Sequence, residues 1–227
     1  MTDNLRPIIT RERITGLILA GGQGARMGGI DKGLECLQGK PLVEHAIERL
    51  RSQTGALAIS ANRNIDRYAS YGFPVFTDAP QNNASVSEHL PADEKAEPNG
   101  TSHRYAGPLA GIAQGLARIT TDWMLVVPCD APLFPADLAS RLAEALMIST
   151  ADLALAATVE PDGSRQRHPV FALIPRRLAA SAAAELASGG GKLDAWYRRH
   201  NAVEVSFRDS RAFYNANTLH DLRELER

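Results

Sequence analysis

Short apolar runs alternate with helically spaced apolar positions along most of this chain. Strand-like runs are predicted at 14–20, 56–61, 75–77, 123–127, 153–159, 170–174 and 202–207, and a hairpin-like stretch at 34–40. Apolar spacings of three and four predict helices opening at Pro41 and after Gly107-Pro108, at about 135–147 and 176–187, and from about Leu219. Strands alternating with helices are typical of an α/β fold with a mostly parallel central sheet.

One segment, residues 81–105, interrupts this alternation. It is rich in acidic residues, asparagine and serine, and it contains few large apolar side chains. A stretch this long and this polar inside a compact domain is typical of an insertion rather than of a helix or strand. We therefore expect an N-terminal extension over 1–13 and one domain over 14–227, with a mobile insertion at about 81–105.

Composition narrows the classes of partner. The 227 residues carry 25 Lys and Arg against 26 Asp and Glu, so the net charge is −1. Without a basic excess we expect neither a nucleic-acid partner nor a membrane partner. The first apolar run spans only 14–20, too short for a membrane span, and the two cysteines form no CxxC pair. These features favour a reducing cytoplasm.

The segment that follows the first predicted strand combines glycines with cationic side chains. Five glycines lie within 21–29, and Arg26 and Lys32 are close by. Glycine lets backbone N–H groups converge on phosphate oxygens, and the two cations add neutralising charge. The segment contains neither Gly-Lys-Ser/Thr nor GxGxxG, which excludes the two commonest phosphate loops. The residues predict a phosphate-binding loop of another kind.

Asp130 follows the most apolar predicted strand. A carboxylate at the carboxyl end of a buried parallel strand lies where α/β sheets bind ligands. Magnesium in proteins often takes one or two carboxylates and fills its remaining positions with phosphates and water. The alternative role, capping the next helix, suits Asp137 better because Asp137 is closer to that helix. Asp130 is therefore the candidate magnesium ligand.

Six motifs together resemble the molybdenum cofactor guanylyltransferase family. They are LAGGQGARMGGIDKG from Leu19, ANR at 61–63, GPLAG at 107–111, PCDAP at 128–132, HP at 168–169 and NANT at 215–218. The resemblance spans residue 14 to about residue 227, and the first motif is the most specific. It implies a Rossmann-like, three-layer nucleotidyltransferase fold that transfers GMP from GTP to molybdopterin, forming molybdopterin guanine dinucleotide and releasing pyrophosphate.

The resemblance also assigns residues to the two substrates. The implied nucleotide-binding residues are Leu19, Ala20, Gly21, Gly22, Lys32, Ser60, Asn62, Asp78 and Asp130. The implied residues on the pterin side are His168, Asn215 and Asn217. The chain departs from the family pattern at Ser60, where relatives often have asparagine, and at the insertion between Asp78 and Gly107.

The implied mechanism is an in-line attack by the pterin phosphate on the α-phosphorus of GTP. A phosphate monoester has a second pKa of about 6, so it needs no general base at neutral pH. Lys32, Arg26 and an Asp130-held Mg²⁺ are the expected catalytic groups. The expected partners are GTP, molybdopterin and recipient molybdoenzymes or their chaperones, and the expected state is a monomer. The alternatives are transfer from CTP, transfer to a sugar phosphate, and a non-catalytic chaperone that binds nucleotide or cofactor.

Overall fold

A seven-stranded sheet lies at the centre of the part of the chain that the computed structural model describes, residues 8–20, 31–77, 107–160, 162–216 and 218–225. The strands are β1 (Ile14–Leu19), β2 (Cys36–Leu37), β3 (Lys40–Pro41), β4 (Ala56–Ser60), β5 (Val75–Phe76), β6 (Trp123–Pro128), β7 (Leu153–Val159), β8 (Arg165–Pro175) and β9 (Ala202–Phe207). The sheet order is β5-β4-β1-β6-β8-β7-β9, and β2 and β3 form a separate hairpin. β8 runs antiparallel to its neighbours β6 and β7, whereas the other pairs in the large sheet are parallel.

Helices cover both faces of the sheet. They are α1 (Leu42–Arg51), α2 (Ile65–Ala69), α3 (Pro108–Arg118), α4 (Leu138–Ile148), α5 (Ala179–Ala187), α6 (Leu193–Tyr197) and α7 (Leu219–Leu225). One core contains Leu50 of α1 and Leu142 of α4, and the other contains Leu116 of α3 and Trp196 of α6. The result is a three-layer α/β fold with a mostly parallel sheet, which confirms the predicted fold class.

The predicted elements are found, with shifts at some ends. β7 and β9 have the predicted bounds, whereas β8 begins at Arg165 rather than at residue 170. The first five residues of β8, Arg165 to Pro169, are polar or proline, so the sequence shows no apolar run there. The structure accommodates Pro169 at a register shift, where Ala156 pairs with His168 but Leu155 pairs with Ala172. A proline is tolerated at such a bulge because it has no ladder hydrogen bond to lose there.

Two helical regions also differ from the sequence pattern. The predicted helix at 176–187 is a 3₁₀ turn, Arg176–Leu178, followed by α5. The five-residue α2 was not predicted, because only Tyr68 of its side chains is buried. The insertion at 81–105 lies outside the described residues, so the division into an extension, a domain and an insertion stays a prediction. No helix among the described residues is long and apolar enough to cross a membrane.

Candidate active site

The carboxyl ends of β1 and β6 lie side by side. The two strands pair in parallel with Leu19 opposite Pro128, and the Cys129 N–H donates to the Leu19 carbonyl at 3.0 Å. β4 lies on the other side of β1, so the chain order reverses between β1 and β6. Ligands of α/β sheets bind outside the carboxyl ends of the strands at such a switch point.

Lys32 and Asp130 meet at this edge. Lys32 opens the 3₁₀ turn Lys32–Leu34, Asp130 follows β6, and Lys32 Nζ lies 3.3 Å from Asp130 Oδ2. The side chains are only 23% and 16% exposed. Burial raises the pKa of the Asp130 carboxyl, and the Lys32 ammonium partly offsets this by lowering it. The structure thus brings the predicted phosphate-binding cation and the predicted metal-binding carboxylate into direct contact.

The donor set around Asp130 fits magnesium held largely by its substrate. Among the described residues, no group of three or more His, Cys, Asp and Glu side chains could hold a metal ion. A closed zinc or calcium cage would need several such ligands. A single aspartate suits Mg²⁺, which in proteins often takes one or two carboxylates and fills its other positions with phosphates and water.

The end of β4 extends this edge on the far side of β1. The Ala20 N–H donates to the Ser60 carbonyl at 2.8 Å, and Asn62 lies two residues beyond the strand. Ser60 is only 3% exposed and packs against Gly111 of α3, where a Cβ would approach Ser60 Oγ to 2.6 Å. Leu19, Ala20, Ser60 and Asn62 are therefore neighbours at one edge. Their contacts with nucleotide stay predictions.

A buried carboxylate lies directly before Lys32. Asp31 accepts hydrogen bonds from the Tyr68 hydroxyl at 2.6 Å and from the Asn64 side-chain amide at 2.9 Å, and Arg63 Nε lies 3.8 Å away. Burial, the neighbouring Cys129 and the bond to Asp31 raise the pKa of Tyr68 well above its ordinary value. Tyr68 therefore stays protonated and donates. Asp31 and Arg63 belong to two of the quoted motifs, but nothing in the sequence indicated that Asn64 and Tyr68 would bind Asp31.

The C-terminal motif reaches the same edge through its backbone. The Ala216 N–H donates to the Asp130 carbonyl at 2.7 Å. Thr218 and Asp221 cap α7 reciprocally: the Thr218 N–H donates to Asp221 Oδ2 at 2.9 Å, and the Asp221 N–H donates to Thr218 Oγ1 at 3.1 Å. Leu222 of α7 packs in a small core with Ala216. The cap and this core hold Asn215 and Ala216 beside Asp130.

His168 and Asn215 line one cavity of about 480 Å³. The pairing of β8 with β6 places His168 beyond the carboxyl end of β6, since Val126 is opposite Ala172 in an antiparallel pair. The His168 ring stacks on Phe213 at 4.6 Å between ring centres, and its Nε2 lies 2.9 Å from Thr158 Oγ1. Burial lowers the pKa of His168, which favours a neutral imidazole. The cavity thus offers aromatic and polar walls.

The structure brings together the described members of the predicted site. Asp130 contacts Lys32 through its side chain and Ala216 through its carbonyl. The predicted residues Gly21, Gly22, Arg26, Asp78 and Asn217 lie outside the described residues. Their roles stay predictions.

An α/β sheet that brings a lysine and an aspartate together at the carboxyl ends of its strands belongs to the class whose ligand sites lie at such a switch point. Comparisons with known proteins narrow this class. The MobA-like NTP transferase domain family matches residues 16–204. A molybdenum cofactor guanylyltransferase of Cupriavidus pinatubonensis (strain JMP 134) is 47% identical over 219 residues, which cover 96% of this chain and 99% of that protein. A protein of the same name from Burkholderia ambifaria (strain MC40-6) is 47% identical over 214 residues, covering 94% of this chain and 96% of that protein.

A solved structure supports the same fold. Molybdopterin-guanine dinucleotide biosynthesis protein A from Archaeoglobus fulgidus has a TM-score of 0.68 to this chain at 19% identity, covering 93% of this chain and 96% of that one. At this identity the likeness speaks for the fold alone. The family match and the near full-length relatives show that the chain belongs to the MobA-like NTP transferase family.

Proposed function

We propose that this protein transfers GMP from GTP to molybdopterin, forming molybdopterin guanine dinucleotide and releasing pyrophosphate. The observation that carries this function is the 3.3 Å approach of Lys32 Nζ to Asp130 Oδ2 at the edge where β1 and β6 end. The name of the near full-length relatives, molybdenum cofactor guanylyltransferase, supports transfer of a guanylyl group to this cofactor. The phosphates of GTP would contact Lys32, and the glycine-rich segment remains a predicted phosphate-binding loop.

The protein's own groups would act by positioning and by neutralising charge. The pterin phosphate is already anionic near neutral pH, so its oxygen forms a bond to the α-phosphorus while the bond to the pyrophosphate oxygen breaks. Two anionic reactants must approach each other, and Lys32, with Arg26 as a predicted helper, would offset their repulsion. We propose no proton transfer by a protein side chain in this step.

Asp130 would hold the divalent cation, and we propose Mg²⁺. When bound, this ion would supply Lewis-acid neutralisation of the phosphate oxygens. Asp130 suits this role because it offers carboxylate oxygens as ligands, follows β6 and has low exposure. Lys32, which contacts the same carboxylate, would face the phosphates beside the ion.

The pterin would occupy the cavity lined by His168 and Asn215. This location is supported by the hydrogen bond from the Ala216 N–H to the Asp130 carbonyl, which brings the cavity wall next to the candidate metal ligand. A neutral, buried His168 stacked on Phe213 suits a flat heteroaromatic ring better than a free anion. Asn217, two residues further along, would add to this side.

Lys32 and Asp130 come from one chain, so we propose that a monomer suffices for catalysis. Both cysteines are free of disulfide bonds, which supports a site of action in the reducing cytoplasm. The recipients of the product would be molybdoenzymes or their chaperones.

Pyrophosphate release in the presence of molybdopterin and Mg²⁺ tests the proposed function. We expect release with GTP, little release with CTP, and incorporation of GMP into the pterin product by mass spectrometry. Lys32→Ala should lose most of this activity. The matched control is Lys40→Ala, since the Lys40 ammonium pairs with Glu48 rather than with Asp130. Faster release with CTP would identify a cytidylyltransferase, and nucleotide binding without release would identify a non-catalytic binding protein.

A further inference from the structure

The turn that presents Lys32 is fixed through the preceding residue. Asp31 is only 8% exposed, and each of its carboxylate oxygens accepts a hydrogen bond, Oδ1 from Tyr68 and Oδ2 from Asn64. Arg63 lies 3.8 Å from Oδ2 and adds a positive charge. A buried carboxylate held by two donors has little freedom to move, because each lost bond would leave charge unsatisfied. The main chain entering Lys32 is therefore anchored.

The residue that follows Lys32 fits the same tyrosine. A Cβ on Gly33 would overlap the Tyr68 hydroxyl oxygen and would lie 3.3 Å from Cys129 Sγ. Only a residue without a side chain at position 33 lets the Tyr68 hydroxyl reach Asp31. Tyr68 thus contacts the chain on both sides of Lys32. Gly33 also lies close to Cys129, the residue directly before Asp130.

Tyr68 is itself held rigidly. Its side chain is fully buried in the core on the α1 and α4 face of the sheet. Its N–H donates to the Asn64 carbonyl at 3.1 Å, and Asn64 adopts a left-handed backbone with φ of 50°. Asparagine tolerates that conformation better than most residues. The segment from Asn64 to Tyr68 is therefore held in place by a backbone hydrogen bond and by the burial of Tyr68.

We propose that Tyr68, acting through Asp31, is a positioning residue that keeps Lys32 opposite Asp130. A lysine side chain loses much rotamer freedom when it grips a ligand, and a fixed main chain lowers the remaining cost of alignment. The identity of the ligand, the phosphates of GTP, rests on the proposed function. The contact between Tyr68 and the lysine turn does not.

The test measures the affinity for Mg²⁺ and GTP by calorimetry in four variants. Tyr68→Phe removes only the hydroxyl and keeps the buried ring, so the fold is retained. We expect GTP to bind about tenfold more weakly, because a lysine turn that is no longer fixed by this hydrogen bond must be ordered on binding. The matched control is Tyr71→Phe, which removes a hydroxyl beside Glu44 and should leave the affinity unchanged. Lys32→Ala should weaken binding, and adding Tyr68→Phe to it should weaken binding no further.

The double variant separates positioning from general stability. If Tyr68→Phe weakens binding equally with and without Lys32, the hydroxyl does not act through the lysine and the proposal is overturned. Wild-type affinity in Tyr68→Phe would overturn it as well. If the variants show the expected affinities but the wild-type protein makes no dinucleotide, the proposed function is contradicted and the positioning role of Tyr68 is not.

Discussion

Replacing Gly33 with alanine tests the close approach of Tyr68 to the lysine turn. Gly33 is not among the glycines with positive φ, so the cost of an alanine arises from contact rather than from backbone strain. The added methyl group would overlap the Tyr68 hydroxyl oxygen. That oxygen cannot move away easily, because it lies 2.6 Å from Asp31 Oδ1 on a fully buried ring.

The size of the effect follows from these contacts. Overpacking a well-filled interior costs about 1–3 kcal/mol, and we expect Gly33→Ala to lower the free energy of unfolding by about 2 kcal/mol. For a chain of this size that corresponds to a fall in Tm of about 4–8 °C. In Tyr68→Phe the overlapping oxygen is absent, and the nearest remaining atoms, Cys129 Sγ and Tyr68 Cζ, are both 3.3 Å from the added carbon. The same substitution should then cost less than about 1 kcal/mol.

The assay is urea and thermal denaturation of the wild type, both single variants and the double variant, followed by circular dichroism. The coupling free energy from this cycle should exceed about 1 kcal/mol. Gly39→Ala serves as the control, since Gly39 has a φ of 77° but no atoms near the position of a Cβ. Its cost should be the same in both backgrounds. An equal cost of Gly33→Ala with and without the Tyr68 hydroxyl would refute the reasoning.

Three further predictions concern the metal ligand, the buried histidine and the C-terminal cap. Asp130→Asn should slow guanylyl transfer at least about 100-fold in a pyrophosphate-release assay, because it removes the charge that would hold the metal; a loss below tenfold would contradict this role. Burial lowers the pKa of His168 below its usual 6.5, so the unfolded chain takes up the proton first. Stability from His168 is therefore complete above about pH 6.5 and declines as the pH falls towards the lowered pKa, and urea denaturation of His168→Gln should show a flatter pH dependence, whereas identical slopes would argue against a buried neutral ring. Thr218→Ala should cost about 1 kcal/mol in thermal denaturation through loss of the α7 cap, and an unchanged Tm would exclude that cap.

The fold was predictable from the sequence because its strands leave simple patterns. β7 is a nearly continuous apolar run that is buried along most of its length. β9, at the edge of the sheet, alternates apolar residues with Glu204 and Ser206. The observed bounds of both strands are the predicted ones. The start of β8 was not predictable in this way, because a proline at a bulge and polar residues near the edge interrupt the pattern. α2 was missed because a five-residue helix with one buried side chain has no detectable period.

The candidate site was predictable from the sequence only for residues that a local pattern marks, and not for contacts between distant parts of the chain. Lys32 and Asp130 each follow a buried strand, and strand pairing brings them together. The bond between Tyr68 and Asp31 joins residues 37 positions apart and depends on where the short α2 packs, which no local pattern encodes. The cap formed by Thr218 was likewise hidden within a motif that resemblance alone assigned to the pterin side.

We propose above all that Asp130 and the lysine turn hold a nucleoside triphosphate together with a divalent cation. The most direct measurement is a calorimetric titration of GTP into the wild type and into Asp130→Asn, each with Mg²⁺ and with a chelator. We predict that Mg²⁺ tightens GTP binding at least about tenfold in the wild type and has little effect in Asp130→Asn. The same magnesium dependence in both proteins would contradict the account.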